Sequence, residues 1–202
     1  TLKPDDVDWS HLDGTKHLHV AGITVALSQS CADTVRTAAR EANRRNMTVS
    51  LDINYRSKLW KPEDCRTALK KITPYVNLVF CPMGDANTVF GISDQPGNVA
   101  KKLQHMLQVE TVVVTGHHEF VFAAHKKELL RTNVIRWREV DRVGAGDAGD
   151  AGILHGYIDG DIQLGLKYGC AMAALKQTIP GDELIASREE IESVVNGGSS
   201  SI

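Results

Sequence analysis

Apolar and polar positions along this chain switch between short β-branched runs and longer stretches with helical spacing. His17–Ala21 reads as a short strand, and a helix over 30–46 follows, placing Val35, Ala38 and Ala42 on one face. A strand over 48–54 comes next, then a helix that opens on Pro62 and runs to about residue 72. An apolar strand over 76–80 leads to helical patterns over 84–90 and 98–107, and Thr111–Thr115 is the clearest strand in the sequence. Residues 120–124 can pair with it after a short turn. Beyond Arg142 the texture changes to three helices, over 146–157, 162–176 and 187–195, the last opened by a Ser187–Glu190 capping box. The polar lead-in 1–14 and the small, polar tail 197–202 fall outside the pattern, the tail being expected to fray. Strands and helices taking turns predict an α/β fold, a largely parallel sheet covered by helices.

Composition narrows the function classes. At 202 residues and 42% hydrophobic content the chain can bury one sizeable core, and a single globular unit is expected over 1–196. A net charge of -2 provides no basic excess for nucleic acid. The longest apolar stretches, such as 111–115 and 171–175, are too short to cross a bilayer and no signal peptide is legible, so a cytoplasmic protein is expected. Cys31, Cys65, Cys81 and Cys170 form no CxxC pair, which suits reduced thiols. Among eight histidines, His17 and His19 share a strand face, but no third ligand stands at a metal-binding spacing, so no metal ligation by protein histidines is expected.

The run Asp141-Arg142-Val143-Gly144-Ala145-Gly146-Asp147 directly precedes a helical pattern. Its glycines allow a tight turn, and the helix start adds unpaired amides and a positive dipole end, which together make an anion site. A carboxylate there can take a proton from a hydroxyl while amides hold charge on a transferred phosphoryl group. Gly144, Gly146 and Gly149 also spell GxGxxG, but a dinucleotide fold needs a strand after the helix, and two more helices follow here. In Asp52-Ile53-Asn54-Tyr55-Arg56-Ser57-Lys58-Leu59-Trp60, at the end of a predicted strand, Arg56 offers a planar fork for carboxylate or phosphate and Asn54 a nearby amide.

The 141–147 run resembles the D-T-x-G-A-G-D-x-F motif of ribokinase-like, PfkB-type sugar kinases, and the 52–60 segment resembles the matching strand end of the 2-keto-3-deoxygluconate kinases. The segment 174–182, with Pro180-Gly181-Asp182, is similar to the loop after their penultimate helix. The resemblance runs in order from about Asp5 to Asn196 and implies the C-terminal portion of a three-layer α/β/α sandwich with a mainly parallel sheet, without the N-terminal strands and β lid. It implies Asp147 as general base and Gly144, Ala145 and Gly146 as the anion hole. It further implies Arg56 and Asp182 at the substrate, Asn54, Thr115 and Gly116 at the nucleotide, and ATP with Mg2+ as co-reactants.

Some positions depart from that pattern. Arg142 stands where the family has threonine, Gly149 where it has an aromatic, and Phe120 where the nucleotide-side turn has glycine. Pro82 and Asp85 replace the asparagine and glutamate of its N-x-x-E element. The leading expectation is an ATP-dependent kinase of 2-keto-3-deoxygluconate or a related sugar acid. A non-catalytic kinase-derived binding or oligomerisation module, with self-association into a homo-oligomer, and a kinase for fructose, ribose or a nucleoside are the alternatives.

Overall fold

In the computed structural model, residues 1–116 and 119–197 are described. The fold divides into two compact units, one built from Thr1–His117 and Phe122–Leu129, the other from His118–Val121 and Leu130–Ile202.

The first unit holds β1 (His17–Ala21), α1 (Gly22–Leu27), α2 (Gln29–Arg44), β2 (Thr48–Asp52), α3 (Pro62–Leu69), β3 (Leu78–Pro82), α4 (Met83–Phe90), α5 (Pro96–Leu107) and β4 (Thr111–Thr115). With β5 (Phe120–His125) and β6 (Glu128–Asn133), the strands form one sheet in sequence order. β1 to β4 are parallel, and β4 pairs with β5 antiparallel. This is the mainly parallel α/β sheet that the alternation predicts.

Side chains on a strand alternate between faces, so one face presents Val49, Leu51, Val79, Cys81, Val112 and Val114. These share a core with Val35, Ala39 and Ala42 of α2, Cys65 and Leu69 of α3, Val89 of α4, and Val99 and Leu103 of α5. The opposite face, through Ser50, Leu78, Phe80, Thr111 and Val113, is buried as well. Burial on both faces is why β3 and β4 read as continuous apolar runs.

The details differ from the sequence reading where contacts distant in sequence intervene. On α2 the buried face runs through Cys31, Thr34, Val35, Ala39 and Ala42, with Ala38 only half-buried. α3 stops at Leu69, where the bonding tightens as the Lys71 and Ile72 amides donate to the Ala68 and Leu69 carbonyls three residues back, and a 3-10 turn, Thr73–Tyr75, follows. β3 starts at Leu78, not Val76, because Asn77 is pinned to β2: its amide donates to the Val49 carbonyl and its side-chain oxygen accepts from the Val49 amide, both at 2.8 Å. β2 ends at Asp52, since Asn54 turns left-handed (φ 42°).

The second unit contains α6 (Ala145–Ile158), α7 (Ile162–Gln177) and α8 (Arg188–Val195). Glycines bring α6 and α7 to backbone contact: a Cβ added at Gly152 would lie 2.6 Å from the Gly169 nitrogen, and one at Gly156 2.3 Å from the Gly165 nitrogen. Ser187 and Glu190 form the expected capping box of α8. Most of the predicted tail, residues 198–202, and His117-His118 of the turn expected from the sequence lie outside the described residues. Among the described residues no helix is long and apolar enough to cross a membrane.

Candidate functional site

In the second unit the 141–147 run is a tight, cross-braced turn. The Asp141 carboxylate accepts from the Val143 amide at 3.0 Å through one oxygen and from the Gly181 amide at 3.0 Å through the other. Those two bonds, and then the charge of Lys176, hold its carboxyl below the usual carboxylate range. Gly144 follows with φ 78°, the left-handed region that a side chain disfavours. A Cβ there would also stand 1.9 Å from the Asp182 carbonyl oxygen, so only glycine admits the Asp182 backbone at this point.

Gly144 caps α6 without a side-chain cap, leaving the helix start to its own amides. The Ala145 amide turns back to the Arg142 carbonyl at 3.2 Å. Those of Gly146 and Asp147 belong to the first turn, where a helix leaves donors without intrahelical partners. Nothing lies within 4 Å of a Cβ built at Gly146, so the approach is open. Asp147 is exposed in this first turn, at the positive end of the helix. The structure thus brings Gly144, Ala145, Gly146, Asp147 and the backbone of Asp182 together. The Asp182 residue is also exposed.

In the first unit a second polar group gathers at the C-terminal ends of β2 and β3. The Asn54 amide and Nδ2 donate to the two Asp52 carboxylate oxygens at 3.2 and 2.9 Å, while its own Oδ1 is buried without a hydrogen-bond partner. The Tyr55 amide donates to Asp85 of α4 at 2.9 Å, and the Tyr55 hydroxyl to the Trp60 carbonyl at 3.0 Å. Burial raises the Asp85 carboxyl, opposed by the Tyr55 bond and by the charge of Arg56. Arg56 itself is exposed. Thr115 ends β4 in register with Pro82 of β3, and Gly116 (φ 81°) lies so that a Cβ would be 3.7 Å from the Met83 amide at the start of α4.

Asp85 was legible only as a departure from a motif, and Lys176, buried at the end of α7, carried no signal in the sequence at all. Among the described residues no group of three or more His, Cys, Asp or Glu side chains is arranged to hold a metal.

Residues 1–186 match the model of the pfkB family carbohydrate kinases. The chain belongs to that family. It is 32% identical over 203 residues to a 2-dehydro-3-deoxygalactonokinase of Haloferax volcanii, covering all of this chain and 64% of that protein. It is 30% identical to a 2-dehydro-3-deoxygluconokinase of Thermoproteus tenax, covering 95% of this chain and 58% of that one. Among solved structures, a 2-dehydro-3-deoxygluconokinase from Thermotoga maritima superposes with a TM-score of 0.87 at 30% identity, over 97% of this chain and 64% of that chain. The pfkB chain described here thus spans just under two thirds of the length of these relatives. Its helix-covered, mostly parallel sheet is the ribokinase-like fold.

Proposed function

We propose that this pfkB-family chain carries the phosphoryl-transfer machinery of an ATP- and Mg2+-dependent kinase whose acceptor is 2-dehydro-3-deoxygluconate or a closely related sugar acid. The observation that supports it most is an exposed carboxylate, Asp147, in the first turn of a helix whose glycine-built start is open to a ligand. The kinase names of the relatives in Haloferax volcanii, Thermoproteus tenax and Thermotoga maritima supply the substrate class.

In this reading Asp147 accepts the proton of the acceptor hydroxyl as that oxygen bonds to the γ-phosphorus and the bond from the γ-phosphorus to the bridging oxygen breaks, releasing ADP. The turn amides of Gly144, Ala145 and Gly146 face the charge spreading over the phosphoryl oxygens. That of Gly146 is the first offered, because Ala145 is held by Arg142 at rest. Arg56 supplies a planar cation for the acid group of the substrate or a phosphate, and Asp182 a carboxylate for sugar hydroxyls. Asn54, Thr115 and Gly116 are read as nucleotide-side residues.

Mg2+ is held largely by nucleotide phosphates in such enzymes, so a full protein cage is not required. Asp85, with Asp52 and the unpartnered Asn54 Oδ1 nearby in the chain fold, fits that role, and the ion would neutralise phosphate charge. We read residues 1–196 as part of one kinase domain.

Asp147→Asn in the complete protein tests the assignment. It should lower kcat by about 10²–10⁴-fold with an unchanged circular dichroism spectrum. Wild-type turnover in the variant refutes the role of Asp147. A folded wild-type protein that neither binds nor turns over ATP favours instead the non-catalytic module, to which the Pro82, Phe120, Arg142 and Gly149 replacements would point.

A further inference from the structure

Lys176 is the only charged side chain among the described residues that is fully buried, at 0% exposure in the last turn of α7. Removing an ammonium from water costs several kcal/mol unless its protons are taken up by good acceptors. Its Nζ donates to the Ile179 carbonyl at 3.0 Å and to the Asp141 carbonyl at 3.4 Å. These acceptors come from two separate segments. One runs directly into the Gly144 turn, the other into Asp182.

The same two segments are tied by backbone. The Val140 and Asp141 amides donate to the Gln177 carbonyl at 2.7 and 3.2 Å, and the Gly181 amide to the Asp141 carboxylate at 3.0 Å. The Asp182 carbonyl then rests on Gly144. An apolar side chain of similar length could fill the space, but it would take this donor from the Asp141 and Ile179 carbonyls and the nearby positive charge from the Asp141 carboxylate. A lysine that merely closes the end of its own helix would act on the carbonyls of that turn alone, whereas this one also reaches the Asp141 carbonyl, 35 residues back in the chain.

We propose that Lys176 is a positioning residue. Its buried ammonium is a fixed internal cation that cross-ties the 141 and 179 carbonyls and so sets the Gly144 turn and the first amides of α6 against the Asp182 backbone. The consequence for phosphoryl transfer rests on the function proposed above, but the cross-tie itself does not.

Hydrogen exchange read by mass spectrometry on this chain tests it, comparing wild type with Lys176→Met and Lys176→Arg. The Met variant should exchange roughly tenfold faster or more, equivalent to about 1.4 kcal/mol of local opening, at the hydrogen-bonded amides of both segments, those of Asp141, Val143 and Ala145 in 141–147 and of Ile179 and Gly181 in 179–182. The interiors of α6 and α7 should keep their protection, and the Arg variant should recover part of the loss. Faster exchange confined to 177–182 would reduce Lys176 to a local helix end, and no change in either segment would make it a space-filler. Either result overturns the proposal. Should Lys176→Met fail to fold, Lys176→Gln, which keeps a donor and loses the charge, reads the same two segments. In the complete protein the Met variant should lower kcat while leaving the KM for ATP within about threefold, a split that general loosening would not produce. If the exchange result holds and the wild-type protein shows no ATP turnover, the kinase reading fails and the cross-tie stands.

Discussion

Gly156→Ala would place a methyl carbon 2.3 Å from the Gly165 nitrogen, 2.4 Å from its Cα and 2.6 Å from the Asp161 carbonyl oxygen. Ordinary contact needs about 3.4–4 Å, and these neighbours are backbone that cannot rotate aside, so α6 and α7 must part by roughly 1 Å. Alanine is favoured over glycine in a helix interior by about 1 kcal/mol, while forcing an extra carbon into a packed contact costs about 1–3 kcal/mol, at the upper end here. The expected net is a loss of about 1–2 kcal/mol. Gly149→Ala on the same helix is the matched control. Its Cβ would meet the Ala173 Cβ at 3.5 Å and the Gly169 carbonyl at 3.6 Å, both ordinary contacts, so the propensity gain of up to about 1 kcal/mol should survive. Urea unfolding of both variants, followed by circular dichroism with the slopes compared, should separate them by about 2–3 kcal/mol. A Gly156→Ala protein as stable as Gly149→Ala would refute the backbone-to-backbone packing of these helices.

Two further outcomes follow from buried titratable groups. Burial, and then the charge of His19, bring the His17 imidazole down to about 4. Because the unfolded ring titrates near 6.5, the unfolded chain binds the extra proton between those values, so stability is full above pH ~6.5, falls as pH drops, and levels below pH ~4. The loss is at most about 3 kcal/mol, and smaller in proportion to the water that reaches this half-buried ring. His17→Gln should flatten that part of the stability profile, and an unaltered slope between pH 7 and 4.5 would remove His17 as its cause. Burial likewise pushes the Cys65 and Cys170 thiols up to about 12 and the Cys81 thiol well above its ordinary value. An aromatic disulfide reagent at pH 8 should therefore leave all three unlabelled over minutes and modify them fully in denaturant. Prompt labelling of the native protein would contradict their burial.

What the sequence determined by itself was whatever rests on neighbours in the chain. Pro62 at the first position of α3 and the Ser187–Glu190 box act within a few residues, and the β-branched TVVVT run of β4 and the glycines ahead of α6 declare their conformation in their own letters, although their hydrogen bonds reach β3, β5 and residues 177–181. The same holds for the candidate base, because a carboxylate in the first turn of a glycine-led helix is a local arrangement.

Tertiary structure decided the rest. α1 carries a β-branched sequence, yet it is a helix whose first residue, Gly22, lies where a Cβ would come 2.1 Å from the Ile53 carbonyl oxygen, a contact with a distant strand end. β6, with its mostly exposed and polar residues, becomes a strand by pairing beside β5. The start of β3 was moved by the Asn77 link to β2. Most plainly, no spacing marks Lys176 as buried. Its place depends on carbonyls contributed by residues 141 and 179, and the energy of an enclosed charge is set by the groups that surround it in space rather than by those beside it in the chain.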